Sequence, residues 1–171
     1  LCEKIFARKC KLKEISKKEF DSFINANHIS GSVNSSVRIG LLYKEEIVAV
    51  IGFRKPRQKK WNGYYEISRF ATKLDHVVVG GLSKLLKYFK NEYSDRIMTY
   101  ADRRFGEGLG YEKVGFKYYG DTGIDYWYSD GRNRYDRFII KSDKKMTERE
   151  KAAEMGLYKV WGCGSNIWIL D

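Results

Sequence analysis

The sequence of 171 residues is poor in cysteine, proline and histidine, and it has no long apolar run. Its three cysteines, Cys2, Cys10 and Cys163, include no close pair, which argues against a disulfide framework and favours a reducing cytosol. No C-x-x-C motif occurs and His28 lies far from His76, so no metal site is expected. A membrane span would need about 18 consecutive apolar residues, and the opening residues have no signal-peptide pattern.

Acidic residues are scarce relative to basic ones, with 22 Asp and Glu against 33 Lys and Arg, which gives a net charge of +11. Such an excess on a small chain predicts binding to a polyanion through the release of counterions. The alternative is a merely soluble basic protein. Aromatic residues make up 15% of the chain, and many stand beside Lys or Arg, a mixture that favours a nucleic-acid surface.

The sequence contains no repeat or low-complexity stretch, and its single proline marks no linker, so one domain is expected over 1–171. The segment from Ser16 to Glu19 is a capping box that opens a helix. A hairpin is predicted from Val37–Tyr43 and Ile47–Phe53, and an amphipathic helix over Leu82–Asn91. Helix, three antiparallel strands, helix, strand, helix and strands follow in order, which indicates an α+β fold.

Further elements are predicted along the rest of the chain. A strand is expected at Tyr65–Thr72, a turn at Asp75–Gly81, and a buried strand from Ile97 to Ala101. Later strands are expected at Phe116–Tyr119, Tyr126–Tyr128 and Tyr135–Ile140, then a helix near Thr147–Met155 and a final strand pair at Tyr158–Trp161 and Ile167–Leu170.

An anion site is predicted where the helix at Leu82 begins. Gly80 and Gly81 leave backbone N–H groups free to approach a phosphate, while Ser83 adds a hydroxyl and Lys84 a charge. These four residues are the candidate cofactor-binding set, for an anionic donor. The alternative is a tight turn with a helix cap.

Two polar side chains are candidates for the chemistry itself. Asp102 ends a buried strand, a position from which a carboxylate can act as a base or orient a substrate; the alternative is a helix N-cap. Tyr111 opens the segment Tyr111–Phe116 and could place a phenol near the mouth of a site. The alternative there is a plain amphipathic helix ending at Gly115.

Basic residues cluster in two loops that are candidates for contacts to DNA phosphates, with a solvated surface as the alternative. The first loop contributes Arg54, Lys55, Arg57, Lys59, Lys60 and Trp61, and the second contributes Arg132, Arg134 and Arg137. Rings at Trp61, Tyr126, Trp127 and Tyr128 could stack on a base, and ordinary packing within a sheet is the alternative.

The segment Tyr111–Phe116 resembles the tyrosine-to-GF segment of GNAT acyltransferases. That resemblance implies a GNAT-like fold, a mixed and mostly antiparallel sheet flanked by helices, with an acyl-CoA or related anionic donor. It also implies that the tyrosine protonates the leaving thiolate of coenzyme A. The family's pyrophosphate motif is met here only at Gly80, because Val77 and Leu82 stand at the flanking positions.

A further resemblance is to the Mom-type DNA modification proteins of phages. It is carried by His28–Gly31, by Glu66–Arg69, by Ser83, and by Tyr100–Asp102 followed by Gly108, Tyr111 and Gly120. The resemblance implies double-stranded DNA as the partner and conversion of adenine to an N6-carbamoylmethyl form in the host bacterial cytoplasm. It makes Asp102, Tyr111 and Ser83 the candidate catalytic residues with His28 nearby, and Arg69 a candidate DNA contact.

The chain also resembles the C-terminal domain of phage homing endonucleases that carry a Vsr-like nuclease half. The opening Ile5–Cys10 and the closing Met155–Gly164 carry this likeness. It implies a non-catalytic DNA-binding domain as the alternative function, with the nuclease domain as a partner outside this chain. A third alternative, an acetyltransferase for a protein or small molecule, rests on the tyrosine-to-GF segment alone.

Overall fold

The computed structural model describes residues 2–140 and 145–171. The helices are α1 (Lys17–Asn27), α2 (Gly81–Glu92), α3 (Leu109–Glu112) and α4 (Glu148–Glu154). The strands are β1 (Glu3–Phe6), β2 (Lys11–Glu14), β3 (Val37–Tyr43), β4 (Glu46–Arg54), β5 (Tyr65–Thr72), β6 (His76–Val79), β7 (Ile97–Asp102), β8 (Lys117–Asp121), β9 (Tyr126–Ser129), β10 (Arg134–Tyr135), β11 (Tyr158–Trp161) and β12 (Ser165–Leu170). No described helix has the length and apolarity needed to cross a membrane.

The described residues form two compact units. The first unit comprises 2–100, 109–119 and 168–171, and the second comprises 101–108, 120–140 and 145–167. The single domain expected over 1–171 stays a prediction.

A seven-stranded sheet organises the first unit, with the order β2-β3-β4-β5-β7-β12-β8. Its first four strands are antiparallel neighbours, while β5 and β7 run parallel. On one face α1 buries Phe20 and Ile24 against Val50 of β4. On the other face Phe89 of α2 stacks on Phe53, with ring centroids 3.6 Å apart. The sheet is therefore covered by a helix on each side.

Several sequence predictions are confirmed in the first unit. The Ser16 hydroxyl accepts a hydrogen bond from the Glu19 N–H at 3.2 Å while the Glu19 carboxylate accepts from the Ser16 N–H at 2.8 Å, which completes the capping box. The hairpin of β3 and β4 turns at Lys44 and Glu45, both at positive φ. The turn expected at Asp75–Gly81 is partly wrong, because β6 occupies its centre and pairs in parallel with β1.

The second unit contains a three-stranded antiparallel sheet in the order β10-β9-β11. Tyr128 of β9 and Ala152 of α4 share a small core with Ile140 and Leu157. The strand expected at Tyr135–Ile140 is wrong beyond Tyr135, because the Asp136 carboxylate accepts from the Phe138 N–H at 3.0 Å and caps a 3-10 turn. The final strand pair is also wrong: β11 pairs with β9, and β12 lies between β7 and β8.

Candidate functional site

An opening in the first unit's sheet lies between β5 and β7. These strands pair in parallel only at Tyr65 with Ile97 and at Glu66 with Met98. Beyond those pairs, β5 continues along β4 while β7 no longer pairs with β5. The parallel pairing of the two strands therefore ends where Thr99 follows Met98, and the Thr99 side chain is buried there.

The phenol of Tyr111 lies near the side chain of Thr99, which is 1% exposed. Burial raises the pKa of the Tyr111 phenol, and the Thr99 side chain opposes that rise. The phenol ring also packs against Phe116 at a centroid distance of 5.4 Å. The Tyr111 phenol is therefore protonated at neutral pH, and its role as a proton donor stays a prediction.

An ion pair between the partly buried Arg54 and the buried Glu66 joins β4 and β5. Glu66 of β5 is the register partner of Arg54, and Arg54 Nη2 lies 2.5 Å from Glu66 Oε1. The Glu66 side chain is 8% exposed. The nearby Tyr100 phenol has its pKa raised, chiefly by burial and also by the charge of Glu66. Sequence reasoning used Glu66 only as part of a matching segment; an acidic residue within a predicted strand was the available signal.

Arg69 joins two segments that the sequence singled out separately. Its Nε donates to the Gly31 carbonyl at 2.8 Å, so the loop of His28–Gly31 is fixed against β5. Burial and the charge of Arg69 lower the pKa of His28, which keeps this imidazole neutral. A β-bulge opposite Gly52 and Phe53 puts Ser68 on the same face as Arg69, where its hydroxyl lies 2.6 Å from that of Ser35.

The N-terminus of α2 meets the requirements for an anion site. Gly80 takes a left-handed conformation at φ 74° and makes no side-chain cap, and the first turn contains no acidic residue. Gly81 is packed so closely that an added Cβ would lie 3.1 Å from Val78 Cγ1. A cleft of about 390 Å³ opens here, lined by Phe6, Ala7, Arg8, Val79, Gly80, Ser83, Lys84 and Lys87. Its lining suits a ligand with an apolar part and negative charge.

A second cleft, of about 470 Å³, continues from Ser83 along α2 to Lys113 and Leu170. Lys87 and Lys90 line it and, like Lys113, form no ion pair in the described part of the chain. These three cations were missed by sequence reasoning, although the i, i+4, i+7 spacing of Ser83, Lys87 and Lys90 was a readable signal.

The ammonium group of Lys84, in contrast, is hydrogen-bonded to the backbone of another segment. Its Nζ donates to the carbonyls of Ala7 at 3.0 Å and Cys10 at 2.5 Å, and so ties α2 to the turn after β1. The sequence placed Lys84 in the cofactor-binding set, and that role stays a prediction; Ser83, Lys84 and Lys87 all line the cleft at the start of α2. Neither cleft along α2 includes Tyr111 in its lining.

Asp102 belongs to the second unit. Two nitrogens of Arg104 donate hydrogen bonds to its carboxylate: Nε lies 3.0 Å from Oδ1, and Nη2 lies 2.5 Å from Oδ2. The hydrogen bond from Arg104 is the main reason that the pKa of Asp102 is lowered. A carboxylate held in this way is ionised and fixed in direction, which suits orientation of a substrate better than proton uptake.

Some of the candidate DNA contacts are exposed to solvent, and others are buried. Lys55, Arg57, Lys59, Lys60, Arg132, Arg134 and Arg137 are exposed. Trp61 is 4% exposed and packs edge-on against Tyr64 and Tyr119, so its ring belongs to the core. Tyr128 is likewise buried, and its hydroxyl donates to Glu148 at 2.8 Å. No three His, Cys, Asp or Glu side chains within 2–140 and 145–171 approach closely enough to hold a metal ion.

Solved acetyltransferases share this architecture. An acetyltransferase of Bacillus subtilis in complex with CoA matches at 16% identity and a TM-score of 0.55, over 95% of this chain and 99% of its own. The ribosomal-protein-S18-alanine N-acetyltransferase of Escherichia coli matches at 9% identity and a TM-score of 0.55, over 94% of this chain and 92% of its own. A GNAT family acetyltransferase of Bacillus cereus matches at 10% identity and a TM-score of 0.54, over 95% of this chain and 96% of its own. The chain therefore has the GNAT acetyltransferase fold, as the sequence predicts. No curated protein matches it.

The model of the Mom protein family matches residues 9–160. The chain belongs to the Mom protein family. In this Mom family member the segments His28–Gly31 and Glu66–Arg69 come together through Arg69, while Ser83 lies at the start of α2. The structure thus brings two of the four matching segments into direct contact.

Proposed function

We propose that this protein is a DNA-modifying transferase that acts on adenine in double-stranded DNA in the manner of Mom proteins, in the host bacterial cytoplasm. The observation that carries the proposal is the half-buried Tyr111, whose phenol lies beside Thr99 where the parallel pairing of β5 and β7 ends in a GNAT fold. Membership of the Mom family supports DNA as the substrate.

An acyl-CoA or related anionic donor fits the surfaces along α2. Free N–H groups after Gly80 and Gly81 would accept a phosphate, with Ser83 as a further hydrogen-bond donor. Lys87 and Lys113 would neutralise remaining charge. The solved GNAT neighbours that hold CoA support this choice. When bound, such a donor supplies the activated carbon and the leaving group.

The adenine amine is a poor nucleophile, because its lone pair is delocalised into the ring. As the amine forms its bond to the donor carbon, its proton must pass to a base, and the bond to the leaving group breaks. Tyr111 would give its proton to that leaving group. Glu66 is the carboxylate of the first unit that could take up the proton. For Asp102, orientation of the amine is the role that the Mom resemblance implies. His28, neutral and fixed beside Arg69, would support the acceptor side.

DNA would be held through its phosphates by the exposed cations of the two basic loops. The amine cannot be reached inside a duplex, so the base must be flipped out, at a cost of a few kcal/mol. Contacts to phosphate position the duplex without reading its sequence.

Mass analysis of nucleosides tests the proposal. DNA from cells that express the chain should contain a modified adenine, and Tyr111→Phe should lower its yield about 100-fold, since general acid catalysis contributes 10²–10⁴-fold. Tyr43→Phe removes a phenol from the far end of β3 and should leave the yield unchanged. Asp102→Asn and Glu66→Gln should each lower it. Unmodified adenine with folded wild-type protein contradicts the proposal.

The second candidate function is the non-catalytic DNA-binding domain of a homing endonuclease, favoured by the charge of +11. Measuring DNA binding by the same variants, beside the mass analysis of nucleosides, separates the two functions. If the wild-type chain binds DNA without modifying it, and Tyr111→Phe and Asp102→Asn leave binding unchanged, the binding function is supported.

A further inference from the structure

The small sheet of the second unit has one covered face and one open face. Tyr128 lies on the covered face, in the core with α4. Strand register places Trp127 on the opposite face together with Arg134 and Tyr158, since both of these pair with Ser129. Tyr158 is 71% exposed and Arg134 is exposed, so this face is open to solvent.

Guanidinium groups lie against the ring of Trp127. The Arg134 Cζ is 4.2 Å from the ring centroid and the Arg104 Cζ is 4.9 Å from it. Arg104 is neutralised by Asp102, whereas Arg134 and Arg137 form no ion pair in the described residues. An aromatic ring beside unneutralised arginines can stack on a base and attract its phosphate at the same time.

A cleft of about 650 Å³ adjoins this ring. It is lined by Gly123, Ile124, Asp125, Tyr126, Trp127, Arg134, Asp136, Arg137 and Phe138. Its volume falls in the range of small-ligand sites, and aromatic rings and guanidinium groups share its walls. The two carboxylates disfavour a phosphate deep in the cleft, so the phosphate would stay at the arginines and the base would enter between the rings.

We propose that this cleft binds one unpaired nucleotide of DNA, with the base stacked on Trp127 in place of the exposed Arg134 guanidinium, which turns to hold the phosphate together with Arg137. The proposal rests on the proposed function only in taking DNA as the polymer. An unpaired nucleotide fits better than a paired one because bases within a duplex hide their faces in the stack and show only their edges.

Binding of a fluorescent oligonucleotide by the full chain tests the proposal. Trp127→Ala should weaken the binding of single-stranded DNA roughly 5- to 150-fold, the loss of one stacked base. Trp161→Ala, the matched control, removes an exposed tryptophan from the other face of the same sheet and should change affinity less than about two-fold. Trp127→Phe should restore most of the affinity, and Arg134→Gln with Arg137→Gln should weaken it without touching the core.

A duplex of the same sequence, with and without one extra unpaired nucleotide, completes the test. The effect of Trp127→Ala should be larger on the single strand and on the bulged duplex than on the perfect duplex. Equal losses on all three, or no loss, would overturn the proposal. Trp127-dependent binding without modified adenine would overturn only the proposed function, and modified adenine with Trp127-independent binding would overturn only this inference.

Discussion

The carboxylate of Glu66 depends on one neighbouring guanidinium. Removing Arg54 would leave a charge buried without a partner, so Arg54→Met should lower the free energy of unfolding by about 3 kcal/mol. Adding Glu66→Gln to that variant should recover part of the loss, because no charge remains to be neutralised. Urea unfolding of the two variants measures the difference; a double variant less stable than Arg54→Met would contradict this account of the pair.

Signals for single residues of the candidate site are local in the sequence. Ser83 and Gly80 were singled out by a glycine pair before an amphipathic helix, and Tyr111 by its motif, and their roles stay predictions. The hydrogen bonds of Lys84 and the burial of Trp61 were not predictable, since they depend on distant groups: two carbonyls near the N-terminus for Lys84, and the ring of Tyr119 for Trp61. The pattern of neighbouring residues cannot predict contacts with groups that are distant in the sequence.

At the scale of an element, the start of α2 depends on a backbone conformation that suits glycine. Gly80 has φ 74°, whereas α3's Gly110 has no positive φ and open space around its Cα. We expect Gly80→Ala to lower the free energy of unfolding by about 1 kcal/mol from left-handed strain. Gly110→Ala, the matched control, should be neutral or slightly stabilising, because alanine favours a helix. Chemical denaturation of both variants measures this, and equal effects would refute the strain.

Elements with local signals were predicted well, and those with distant partners were not. Neighbouring residues in the sequence determine the capping box of α1, the β3–β4 hairpin and the amphipathic face of α2. Strand β6 was missed because its partner, β1, lies about 70 positions away in the chain. The position of β12 between β7 and β8 is likewise a property of the sheet rather than of the segment.

For the whole molecule, the positive charge makes a prediction about salt. DNA binding should weaken steeply with salt, since each phosphate contact contributes roughly 0.9 to the log–log slope. Changing Arg57, Lys59 and Lys60 to Gln should lower that slope by roughly 2 to 3. The control changes Lys11, Lys13 and Lys17 to Gln, which removes the same charge from residues already paired with acids. Equal slopes for the two triple variants would show that the loop makes no phosphate contacts.

The chain leaves β8 and re-enters β12 at almost the same place. The Thr122 N–H donates to the Ser165 carbonyl at 2.8 Å, and the Ser165 N–H donates to the Thr122 hydroxyl at the same distance. The segment between these two residues therefore begins and ends at neighbouring positions that are hydrogen-bonded to each other. Because insertion is tolerated where chain ends lie close, this stretch can lengthen, shorten or be exchanged between relatives while β8 and β12 keep their places in the large sheet.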